Sequence, residues 1–167
     1  MKKTLTLSSI ILCICIIISG CKKSEPVIDL CAGITCMYNG TCVTGTCNCP
    51  YYAEGKTCDT LVRQKFIATY VGTATNSYQV GTTPATVYVT EGPDSLSEIT
   101  MSIVGNQLSD SVHATTYRSG TIITPSQPAG PGTISGTGLL SGAALYDTLI
   151  ISTGLGNVSI YFSGVKQ

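Results

Sequence analysis

The chain has 167 residues, with nine lysines and arginines against nine aspartates and glutamates, so its formal charge is zero. Beyond the first twenty residues seven basic side chains face nine acidic ones with no basic stripe, which excludes the electrostatic footprint of a nucleic-acid binder. The nine cysteines fall as Cys13 and Cys15, then Cys21, then six between Cys31 and Cys58, and none follows.

Residues 1–20 begin with Lys2 and Lys3 and continue with an apolar run from Leu5 to Ile18, broken only by Thr6, Ser8 and Ser9. This is the pattern of a secretory leader. The run is shorter than the ~20 residues a membrane-spanning helix needs. Ile18-Ser19-Gly20-Cys21 resembles the lipobox of bacterial lipoproteins, an aliphatic residue and two small ones before the cysteine that is acylated and becomes the new N-terminus. The resemblance implies a palmitate-like lipid anchor on Cys21, and two or three acyl chains at about 0.8 kcal/mol per buried CH₂ hold a protein stably. Lys22, where aspartate often marks inner-membrane retention, implies the outer membrane. Periplasmic and surface exposure both stay open, and an ordinary cleaved leader with Cys21 as a spare thiol is the bland alternative. Residues 21–30 read as the acylated N-terminus and a tether, spanning no more than about 30 Å when extended.

Residues 31–58 hold Cys31, Cys36, Cys42, Cys47, Cys49 and Cys58. So short a segment buries too little core and needs covalent staples of about 2–4 kcal/mol each. Spacing alone does not choose among the pairings open to six cysteines. Zinc is the competing use, but its structural sites favour paired cysteines with two to four residues between them or cysteines with histidine, whereas Cys47 and Cys49 have one residue between them and the only histidine is His113. With Tyr38-Asn39-Gly40-Thr41 before the third cysteine and Cys47-Asn48-Cys49 after it, the segment resembles an epidermal growth factor (EGF)-like domain. The resemblance implies Cys31–Cys42, Cys36–Cys47 and Cys49–Cys58. The chain departs from the family in carrying Tyr52 and Ala53 where a glycine and an aromatic residue are usual, so Tyr51 or Tyr52 is expected to supply the packing ring. Val27-Ile28-Asp29-Leu30 offers one carboxylate before Cys31, too little for an ion wanting six to eight oxygens, so no metal site is expected.

Residues 60–167 turn to Thr, Ser, Gly and aliphatics, long enough to bury a core without covalent help. Period-two alternation or β-rich composition marks eight strand candidates: Phe66–Val71, Thr86–Thr90, Ile99–Ile103, Val112–Tyr117, Thr121–Thr124, Ile134–Leu139, Leu149–Ile151 and Asn157–Ser163. Breakers lie between them, including Gly81 to Pro84, Pro125 to Gly132 and Gly154 to Asn157. Leu139–Leu145 is the best helical window, and its Gly and Ser content makes it a bend. The fold expected is mainly β, an antiparallel meander of about eight strands after a disulfide-rich module; a closed barrel is preferred to a sandwich because closure removes exposed edges. Gln64-Lys65-Phe66-Ile67-Ala68-Thr69-Tyr70, Ile122-Ile123-Thr124-Pro125-Ser126-Gln127 and Gly136-Thr137-Gly138 resemble a β-rich, lipocalin-like domain of bacterial lipoproteins, which implies a fold and no activity.

No Gly-x-Ser-x-Gly elbow, phosphate-binding glycine loop or His-Glu-x-x-His is present. Asp110, Ser111 and His113 are the nearest approach to a catalytic set, yet on a strand Ser111 and His113 share a face that Asp110 does not. Glu91, Asp94 and Glu98 read as a solvated hairpin tip. Asp59-Thr60-Leu61, Asp94-Ser95-Leu96, Asp110-Ser111-Val112 and Asp147-Thr148-Leu149 resemble a bacterial O-glycosylation sequon, making Thr60, Ser95, Ser111 and Thr148 candidate acceptors; turn and strand-start propensities explain the same pattern. The sequence thus points to a non-enzymatic, cofactor-free envelope protein. Its module contacts an extracytoplasmic protein or glycan through Tyr38, Tyr51 and Tyr52, or acts as a spacer, or the β-domain holds a small apolar ligand.

Overall fold

A computed structural model describes residues 28–78, 80–105 and 111–167. The leader and Cys21 lie outside the described residues, as does Asp110. The chain divides into Met1–Leu30 and Cys31–Gln167, and the second unit contains both the disulfide module and the β-domain.

The module is built from two small hairpins. Strands β1 (Thr41–Val43) and β2 (Thr46–Asn48) pair with Cys42 opposite Cys47, and β3 (Ala53–Glu54) pairs with β4 (Thr60–Leu61). The disulfides are Cys31–Cys42, Cys36–Cys47 and Cys49–Cys58, the connectivity implied by the resemblance. Around them only Cys47, Ala53 and Cys58 are buried, with Ile34, Tyr38 and Tyr52 packed against them. Sulfur substitutes for a hydrophobic core that 28 residues cannot build.

A 3-10 turn, Val62–Lys65, leads into eight strands: β5 (Ala68–Asn76), β6 (Thr83–Glu91), β7 (Glu98–Val104), β8 (Ser111–Thr116), β9 (Thr121–Ala129), β10 (Gly132–Ser141), β11 (Ala144–Thr153) and β12 (Gly156–Lys166). Each pairs antiparallel with its successor, and β12 pairs with β5 to close a barrel. The sandwich alternative is therefore set aside. Period-two burial runs through the wall: Ala85, Val87 and Val89 face inward on β6, and Ile99, Met101 and Ile103 on β7. Val62 and Phe66 enter the same core from the 3-10 turn, and the Tyr70 hydroxyl donates to the Phe66 carbonyl at 2.9 Å.

Four sequence boundaries need correction. Phe66 and Ile67 precede β5, because Phe66 closes the 3-10 turn and plugs the barrel end. Thr83-Pro84 opens β6 and Gly156-Asn157 opens β12, so those breakers lie within strand ends. Pro125 to Ala129 belongs to β9 despite two prolines. The register slips between Ile134 and Gly136, a bulge that accommodates residues unable to complete a regular ladder. The Gln127 side chain substitutes for backbone there, its amide donating to the His113 carbonyl at 2.7 Å and accepting from the His113 N–H at 3.0 Å. Leu139–Leu145 is a strand, a two-residue turn and a strand.

Candidate functional site

Two places gather polar chemistry: the barrel interior and the seam between barrel and module. Inside, every hydrophobic residue of the core cluster is at most 4% exposed, so the wall is lined by packed side chains. On β11 the inward positions are Leu145, Asp147 and Leu149, which places a carboxyl group among aliphatics. Its register partners are Gly138 on β10 and Phe162 on β12. Asp147 lies against Gly138, where a Cβ would stand 2.8 Å from Oδ1. Among the described residues Oδ1 has no hydrogen-bond partner, and neither has the buried Thr124 Oγ1. Burial pushes the Asp147 carboxyl up to about 7, against a smaller downward effect of the Thr148 backbone hydrogen bond.

At the seam, Arg118 in the β8–β9 connection donates to three module carbonyls, from Nε to Ala53 at 2.9 Å and from Nη2 to Cys49 and Pro50. Tyr117 stacks on Tyr51, ring centroids 5.7 Å apart, and Tyr51 meets Tyr52 edge-on. The Val62 N–H donates to the Tyr52 carbonyl at 2.9 Å, and Lys65 Nζ pairs with Glu54 at 2.6 Å. Arg63 ties the turn to the β6–β7 connection, donating to the Ser95 carbonyl and to Glu91, each at 3.0 Å. One rigid fork held on several carbonyls makes Arg118 the main polar fastener. Arg118→Ala is expected to remove charge-assisted hydrogen bonds worth about 1.5–3 kcal/mol before allowance for their partial exposure. Backbone amides of residues 51–54 should then exchange hydrogen faster, while those of β6 and β7 stay protected; hydrogen-exchange mass spectrometry of the wild type and variant reads both.

The candidate contact residues separate by role. Tyr38 and Tyr52 serve the module core, with the Tyr52 hydroxyl donating to the Tyr38 carbonyl at 3.3 Å, so Tyr52 is the packing ring. Tyr51 is 53% exposed and reaches the barrel. Ser111 and His113 share the outer face of β8, where His113 Nδ1 lies 3.2 Å from Thr100 Oγ1 and 3.6 Å from Glu98. Glu91 accepts from Arg63 and Gln64, which ties β6 to the 3-10 turn, and the Glu98 carboxylate accepts from the Asp94 backbone N–H within the β6–β7 hairpin. No group of three His, Cys, Asp or Glu side chains suited to a metal ion occurs among the described residues. Thr60, Ser95 and Ser111 are exposed, whereas Thr148 is half-buried in mid-strand next to the inward Asp147.

Sequence reasoning missed Arg118, Tyr117 and the interior position of Asp147. The last was within reach, because Leu145, Asp147 and Leu149 alternate with Tyr146 and Thr148. The seam was not, since nothing local ties Arg118 to carbonyls more than sixty residues earlier. No protein-family model matches the chain, and no curated protein matches it.

Proposed function

We propose that this chain is a non-enzymatic, lipid-anchored protein of the bacterial envelope, in which a lipocalin-like barrel with a filled interior carries an EGF-like module as a fixed recognition or spacer unit. The observation that supports this reading best is the seam: the Arg118 fork, the Tyr51–Tyr117 stack and the Lys65–Glu54 pair join two β units into one surface. A module meant to move freely needs no such fastening. Carriage of an apolar ligand inside the barrel would require displacing Tyr70, Met101 and Leu149, all at most 1% exposed, so recognition by the outer surface is the stronger reading.

The anchor rests on Ile18-Ser19-Gly20-Cys21. Wild-type protein is expected in the membrane fraction, and Cys21→Ser should shift most of it to the soluble fraction or leave an unprocessed precursor. Wild-type protein that is soluble after cell lysis contradicts the anchor. Intact-mass measurement of the same preparation reads acyl chains and any hexose on Thr60, Ser95, Ser111 or Thr148; an unmodified polypeptide mass removes both. Protease shaving of intact cells then separates a surface role from a periplasmic one, since protection rules out recognition beyond the cell surface.

A further inference from the structure

Positive charge is gathered at the end of the barrel that carries the module. Of the basic side chains among the described residues, Lys65, Arg118 and Lys166 line one cleft of about 430 Å³, together with Ser119, Gly120 and Gly142, and no carboxylate lines it. Their compensation is incomplete. Lys65 is paired with Glu54, but Arg118 is held by neutral carbonyls, and the exposed Lys166 side chain takes part in no hydrogen bond or ion pair among the described residues. The acidic residues Glu91 and Asp94 border a different cleft. A second cleft, of about 440 Å³, shares Arg118 and Ser119 with the first and is bordered by Tyr51 and Tyr117. Two aromatic rings and two uncompensated cations therefore border adjoining hollows.

We propose that this seam groove binds an acidic oligosaccharide, with a pyranose ring on the exposed side of the Tyr51–Tyr117 stack and its carboxylates on Arg118 and Lys166. Aromatic side chains with a polar tip suit a ring that has one apolar C–H face and a hydroxylated edge. Guanidinium and ammonium groups form charge-assisted hydrogen bonds with carboxylates. The groove is open and shallow, so a short saccharide would lie along it rather than be enclosed, and its two uncompensated cations are few for tracking a nucleic-acid backbone. The proposal deepens the recognition reading above and rests on it. Binding is read in solution, so failure of the membrane anchor would leave it standing.

The test is titration of the mature full chain with fluorescently labelled hexagalacturonate and, separately, with its methyl-esterified form. Saturable binding is expected, at least about tenfold weaker for the ester and for the Lys166→Glu variant, because each removes a charge-assisted contact. Tyr51→Ala should weaken binding about threefold to tenfold through the lost ring contact. Thermal unfolding of each variant confirms that the barrel is intact. Equal binding of the ester, indifference to Lys166→Glu or absence of binding to hexagalacturonate each overturns the proposal. Inorganic phosphate that displaces the labelled hexasaccharide at micromolar concentration would reassign the groove to simple anions. Phosphatidylglycerol vesicles bound in preference to hexagalacturonate would reassign it to a lipid surface.

Discussion

Asp147→Asn should raise the thermal midpoint at pH 8 by roughly 8 °C or more and leave it nearly unchanged at pH 4. The wild-type carboxyl is 4% exposed, and burial lifts it from 3.8 to about 7 in the folded chain. Below pH 3.8 both folded and unfolded states hold the proton, so the group contributes no pH dependence. Between 3.8 and about 7 the unfolded chain releases a proton that the folded chain retains, and stability falls as pH rises. Above pH 7 the loss is complete, at about 4 kcal/mol for a shift of roughly three units. At about 2–4 °C per kcal/mol for a domain of this size, that sets the expected change. Asn cannot ionise and keeps a similar volume against Gly138. Denaturation of both proteins across pH 4 to 8 checks the result, and parallel profiles would show that burial does not shift the Asp147 carboxyl.

Gly72→Ala is expected to cost about 3 kcal/mol or more and to shift the protein toward aggregates. Gly72 on β5 faces Gly164 on β12, the pair of strands that closes the barrel. A Cβ at Gly72 would fall on the Ser163 carbonyl and the Gly164 Cα, and backbone atoms cannot move aside as a side-chain tip can. The Phe162 ring already occupies the space that a Cβ on Gly164 would need. The first and last strands must therefore separate or distort, at a cost at or above the usual range for overpacking. Separation leaves two unpaired strand edges, which template association. Equilibrium urea unfolding gives the stability loss, and light scattering of the folded sample reports the exposed edges. A variant as stable and monodisperse as the wild type would mean that closure does not depend on this glycine contact.

The strand count was legible because burial repeats every second residue. Ile99, Met101 and Ile103, or Val158, Ile160 and Phe162, announce a wall with one apolar face whatever lies beside it. Strand ends were less legible. Pro125 and Pro128 are breakers by local rule, and only the neighbouring strand shows that a bulge and the Gln127 amide carry β9 past them. The roles of the tyrosines divided in the same way. Tyr52 packs over its own disulfides, a local need of a core-poor module, while Tyr51 finds its partner in Tyr117 across the fold.

Sequence by itself determined where the six disulfide cysteines fall, Cys31 to Cys58, in a segment too short to bury a core, and where alternating aliphatics follow in a segment long enough to do so. It also placed an aspartate in phase with Leu145 and Leu149. Tertiary structure decided the rest: the closure of β12 on β5, the burial that shifts Asp147, and the seam where Arg118 meets Cys49, Pro50 and Ala53. Periodicity and cysteine spacing are local quantities that a linear reading can carry. A carboxyl group's desolvation and a guanidinium's choice of carbonyls depend on neighbours supplied by distant parts of the chain, and those exist only once the barrel has closed.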